Sequence, residues 1–180
     1  MSIDSLFDLT VPFERIFAMT DSASQIFVTT ALKSWNVWTG RAAKLFDSLS
    51  DEQMQAEIAP GKNRPYYLLG HLVAVDDAMI PQLRLGEPDY THLRAPFIDS
   101  PDKAATDSIP VAELRQAWKI VHEKLNAHFE QLSPSEWLER HSTVSEEDFA
   151  KEPHRNRLAI LMSRTGHVSY HIGQLMLLPK

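Results

Sequence analysis

The sequence contains no cysteine. That excludes a disulfide framework, a thiolate nucleophile, thiolate zinc sites and iron–sulfur clusters. Any metal must therefore be held by histidine and carboxylate. Glycine is scarce, six in 180 residues, and no glycine-rich phosphate loop occurs. No run approaches the ~20 apolar residues of a membrane span. Basic side chains are outnumbered 18 to 24, and a net charge of −6 argues against a nucleic-acid partner. The first 20 residues have no positive charge before Arg15 and carry Asp4, Asp8 and Glu14. They do not read as a secretory leader, so cytoplasmic residence is the expectation.

What is present is an ordinary globular share of apolar residues, 43%. The length predicts one domain, residues 21–180, behind an N-terminal extension of residues 1–20. Four segments repeat apolar residues at three- and four-residue steps. The first runs from about Ser22 to Leu49, capped by Asp21 or Ser22, with Val28, Ala31, Trp35, Trp38, Ala42, Phe46 and Leu49 on its stripe. Ser50 and Gln53 have capping-box spacing for a short extra turn, and Pro60-Gly61 then breaks the chain. The second helix begins near Asn63, with Pro65 in its first turn and Leu68, Leu72, Val75, Met79 and Leu83 on its stripe, and Pro81 and Gly86 mark its end.

Five of the eleven prolines fall between Pro81 and Pro110, and residues 86–108 show no periodicity. They read as a long ordered or semi-ordered loop, and loops of that length in compact domains tend to be functional covers or disordered. The third helix opens at Ser108, carries Leu114, Trp118, Val121, Leu125 and Phe129, and stops at Ser133-Pro134 before a short turn through Trp137. Residues 139–155 read as a solvated connection. The fourth helix begins near Arg155 or Asn156 and ends near Leu178. Four such helices without strand-like alternation predict an all-α four-helix bundle, with a loop between helices 2 and 3 long enough for a crossover.

Three of the eight histidines stand out. His167 and His171, four apart on one helix, share a face about one turn apart, where two ring nitrogens can meet one ion. His71 lies on the second helix among Leu68, Leu72 and Val75. If those helices adjoin, three imidazoles converge inside the bundle. On spacing alone, ligation and hydrogen-bonded core histidines both stay open. Gly70 precedes His71 and Gly166 precedes His167. Glycine inside a helix costs about 1 kcal/mol against alanine, so these two positions read either as a close approach to the ligands or as simple packing relief.

Other chemistries fail at the level of the string. Val168 follows His167, so the zincin His-Glu-x-x-His pattern is absent. No Glu-x-x-His occurs, which removes the ferritin-like di-iron pattern, and no Gly-x-Ser-x-Gly elbow is found.

The string His167-Val-Ser-Tyr-His171-Ile-Gly-Gln174-Leu175 resembles the closing motif of the DinB/YfiT-like superfamily. Leu68-Leu69-Gly70-His71-Leu72 resembles its second-helix motif, and Leu49 to Gln53 sits at the expected place before it. The resemblance spans residues 22–178. It implies a four-helix bundle with a long crossover between helices 2 and 3, commonly dimeric, with a divalent metal carried by His71, His167 and His171. It also implies metal-dependent hydrolysis, or transfer using a low-molecular-weight thiol, on a small-molecule substrate. Some members are expected to present a carboxylate after the second-helix histidine, but Asp76 and Asp77 project away from the His71 face in an ideal helix.

Three neutral imidazoles would leave the ion its full charge and open positions, the pattern of a catalytic site. Water held there would have its pKa lowered to around 7, and a substrate thiol could take the same place. Zinc and nickel both suit imidazole. Arg164 and Gln174, flanking the histidine pair, are candidate substrate contacts, as are Trp38 and Tyr170. Trp35 reads as core. His122 and His128 flank the third helix's stripe as possible additional ligands, whereas His92, His141 and His154 read as solvated. The alternative is a non-catalytic helical bundle that binds a partner or an apolar ligand, its histidines serving as core residues.

Overall fold

The computed structural model describes residues 13–178, with side chains described from residue 22 onward. Residues 1–12 of the expected N-terminal extension lie outside the described residues. Four long helices carry the fold: α1 (Phe13–Ser48), α3 (Pro65–Asp77), α6 (Val111–Phe129) and α9 (Arg157–Leu175). Short helices lie between them: α2 (Asp51–Gln55), α4 (Met79–Gln82), α5 (Arg94–Phe97), α7 (Pro134–Trp137) and α8 (Glu146–Lys151). Among the described residues there is no strand, only an isolated bridge between Arg140 and Asn156.

The first helix reaches back to Phe13, so the expected cap at Asp21 or Ser22 does not form and both residues lie inside α1. The second helix is shorter than its stripe suggests. It ends at Asp77, and the chain resumes as α4 after Ala78. Proline removes a backbone donor and crowds the carbonyl four residues earlier; for Pro81 that residue is Asp77. The third helix begins at Val111 behind Pro110, not at Ser108. Ser50–Gln53 and Ser133–Glu136 both close capping boxes, and Asn156 caps α9 through Ala159 N–H. Residues 139–155 are more ordered than their polarity suggests, since Ser145 caps α8 there.

α1 packs against α9 and α6, and α3 packs against α6 and α9. α3 and α6 run in the same direction. Tyr66, at the start of α3, donates to Ile109 C=O just before α6, while Asp76 near the end of α3 faces His122 further along α6. α9 runs opposite to α3, because His167 meets His71 while Arg164 reaches Gln82 beyond the end of α3. Neighbours that run in parallel need a connection that returns the length of a helix. Residues 78–110 make that return, through a 3₁₀ turn (Thr91–Leu93) and α5.

The return is pinned where it passes the start of α3. Arg64 donates to Asp102 and Asp107 at 2.6 and 2.7 Å, Tyr67 donates to Ser100 C=O at 2.8 Å, and Lys103 pairs with Glu57. The core lies between the four helices, where Trp35, Leu69, Leu72, Leu114, Leu125, Trp137 and Leu161 are fully enclosed.

Candidate metal centre

α3 contributes His71 and α9 contributes His167 and His171. The helical repeat sets the last two one above the other, and their Nε2 atoms are 2.9 Å apart. His71 Nε2 stands 3.2 Å from His167 Nε2. The three ligand atoms all lie within 4.8 Å of one another. His171 is buried, and His71 and His167 are half-buried.

Two of the rings are held from behind. His71 Nδ1–H donates to Phe97 C=O at 2.8 Å, and His171 Nδ1–H donates to Gln174 Oε1 at 2.7 Å. A ring that carries its single proton on Nδ1 turns an Nε2 lone pair toward His167. One Nε2–H on His167 serves only one such lone pair. A cation at the common point would serve all three, so the donor set fits a metal ion. His167 Nδ1 is buried without a hydrogen-bond partner among the described residues. Burial, followed by the neighbouring His171, His71 and Arg164, lowers the pKa of His167 to about 4. Burial likewise lowers that of His171. Both rings are therefore neutral at pH 7, the form that ligates.

The other expected contacts separate into groups. Gln174 is committed to the cluster, since its oxygen takes His171 Nδ1–H and its amide nitrogen donates to Tyr170 OH at 3.1 Å. Tyr170 packs edge-on against His171 and is otherwise exposed. Arg164 reaches Gln82 Oε1 at 3.3 Å, and its Nε is buried with no hydrogen-bond partner among the described residues. Trp38 stands apart in the outer groove between α1 and α9, beside Ile172, Gly173 and Met176, with Arg41 over its ring.

Trp35 is core, fully buried and stacked on His122. His122 joins a second buried pair instead of the cluster. Its Nδ1–H donates to Trp118 C=O, and its Nε2 lies 3.2 Å from Asp76 Oδ2, off hydrogen-bond alignment. Asp77 accepts the backbone N–H groups of Asp89 and Tyr90. Neither carboxylate joins the three histidines, as helix geometry predicts. His128 is half-buried outside the cluster, while His92 and His154 are exposed. The solvated expectation for His141 is overturned: it is buried, and its Nδ1 meets Thr143 Oγ1 at 2.9 Å.

The residue missed in the sequence is Phe97. Its part is played by a backbone carbonyl in an aperiodic loop, and no side-chain pattern signals a carbonyl.

Among the described residues, no helix is long and apolar enough to cross a membrane. Residues 37–175 match the DinB superfamily. No curated protein matches the chain.

Proposed function

The chain belongs to the DinB superfamily, and from that premise we propose that His71, His167 and His171 hold one divalent cation and that the protein is a metal-dependent enzyme acting on a small molecule. The observation that carries this reading is the convergence of three Nε2 atoms from two helices within 4.8 Å. Zinc and nickel both suit three imidazoles. Bound there, such an ion supplies Lewis-acid activation of a water or of a low-molecular-weight thiol, for hydrolysis or for thiol transfer. Phe97 C=O and Gln174 hold His71 and His171 so that their lone pairs face the ion. Arg164 has no acidic partner among the described residues and lies one helical turn from His167. It is suited to orient an anionic group of the substrate. Tyr170 offers a hydroxyl at the rim. Trp38 lines the neighbouring groove and is the weakest of the substrate contacts.

The same reading includes a homodimer. Phe27 (69%), Met162 (62%) and Met176 (71%) are exposed along α1 and α9, an apolar face of the kind that protein contacts cover.

Elemental analysis of protein purified without a histidine tag tests the metal. One equivalent of zinc or nickel is expected, together with its loss in His171→Ala. A chelator should lower the melting temperature of the loaded protein, because metal that binds only the folded state stabilises it by mass action. Unchanged stoichiometry in the variant would remove His171 from the site. Failure of the wild type to take up either ion favours the non-catalytic bundle.

A further inference from the structure

Two glycines directly precede proposed ligands, yet the structure treats them differently. A Cβ at Gly166 would meet nothing within 4 Å. A Cβ at Gly70 would come within 2.5 Å of Phe97 Cδ1 and Cζ, closer than real Cβ contacts occur. The Phe97 ring therefore lies directly on the backbone of α3 at Gly70. It is 2% exposed and packs against Tyr66 and Tyr67, with ring centroids 5.6 and 5.9 Å away. A ring so enclosed has little room to step aside.

The same residue supplies the carbonyl that accepts His71 Nδ1–H at 2.8 Å. Tyr67 closes the arrangement, stacking on His71 at 6.2 Å while its hydroxyl holds Ser100 C=O. The crossover segment thus touches α3 through the Phe97 ring at residue 70 and through the Phe97 carbonyl at residue 71.

We infer that Gly70 and Phe97 form a positioning pair for His71: the missing Cβ seats the Phe97 ring against α3, and that seat places the Phe97 carbonyl where it holds the His71 proton on Nδ1 and leaves Nε2 free to ligate. Gly70 is thus needed for the orientation of its neighbour, whereas Gly166 has no such part. The inference rests on the metal reading only for its effect on affinity. The tautomer of His71 is a property of the metal-free chain.

Two measurements on the full-length protein test it. The first is ¹⁵N NMR of the His71 ring in metal-free protein at pH 8. The wild type should show the Nδ1–H tautomer, and Gly70→Ala a mixture of the two. The second is the zinc Kd, measured by competition with a chromogenic chelator. Gly70→Ala should weaken zinc binding about 10–100-fold, the range for loss of a partner that orients a ligand. Phe97→Ala should weaken it comparably, and the double variant should be no worse than either single one, because both remove the same seat. Gly166→Ala should bind zinc as the wild type does.

The positioning claim is overturned if wild-type His71 carries its proton on Nε2. It is equally overturned if Gly70→Ala keeps both the tautomer and a Kd within twofold of wild type, or if Gly166→Ala loses as much affinity as Gly70→Ala. If the wild type binds neither zinc nor nickel, the metal reading falls and the spectra still decide the positioning claim. Should Gly70→Ala fail to fold, a wild-type Nε2–H tautomer overturns the claim, as does a Phe97→Ala variant that binds zinc within twofold of wild type.

Discussion

The Nε2 atoms of His71 and His167 stand 3.2 Å apart, although 96 residues separate them in the chain. His71 already gives its Nδ1 proton to Phe97 C=O, so its second nitrogen presents a lone pair at this contact. Nitrogens brought together in this way are well suited to a shared cation.

Gln174 should control His171. In Gln174→Ala, His171 Nδ1–H loses its acceptor, and zinc affinity should fall about 10–100-fold with the fold intact. Gln174→Glu keeps an acceptor and should retain most of that affinity. Chelator competition, with circular dichroism as the folding control, checks both.

Acid should destabilise the metal-free protein before carboxylates matter. The pKa of His167 is lowered from 6.5 to about 4, so between those values the unfolded chain binds a proton that the folded chain refuses. Stability therefore falls as pH drops from about 6.5 to 4, and His171 acts in the same direction. Urea midpoints measured at pH 7.5, 6 and 5 in the presence of chelator should decline in that order, and a flat series would contradict the burial of these rings.

The Asp76–His122 pair should be structural. Asp76 is fully enclosed and His122 nearly so, and the latter's other nitrogen is committed to Trp118 C=O. Removing Asp76 leaves the buried His122 Nε2 with no polar neighbour among the described residues, at a cost of about 1–3 kcal/mol. Asp76→Ala should lose that much in urea unfolding, while the folded fraction keeps its zinc stoichiometry.

Arg64 should hold the crossover. It ties the first residue before α3 to Asp102 and Asp107, and Asp102 is itself 5% exposed in its side chain. Arg64→Ala leaves that carboxylate the backbone N–H of residue 64 but takes away its cation, at a cost of up to about 3 kcal/mol. Amide exchange across residues 94–109 should speed up more than exchange in α9, because the loss is local to the segment.

The helices were legible because each buries one stripe, and a stripe repeats visibly in a string. The capping boxes at Ser50 and Ser133 were legible for a similar reason, being contacts across three residues. Pro81 and Gly86 signal the stop of the second helix in the string, but the break falls earlier, after Asp77, while apolar residues continue through Leu83; periodicity reports burial and not backbone continuity. The burial of His141 was missed because its polar neighbours suggested solvent. Its cover comes from folding of the 139–157 connection, where Ser142 N–H reaches Gln82 C=O.

The amino-acid order alone determined four amphipathic helices, the pairing of His167 with His171 on one face, the absence of thiolate chemistry and the motifs shared with a family. These depend on residue identity and short-range spacing, which survive in a string. Only the tertiary structure decided that His71 meets that pair, that Phe97 turns its carbonyl to His71, that Asp76 goes to His122, and that Gly70 is crowded while Gly166 is open. Each of these depends on how separate helices and a returning loop are set against one another, and packing of the whole core fixes that arrangement.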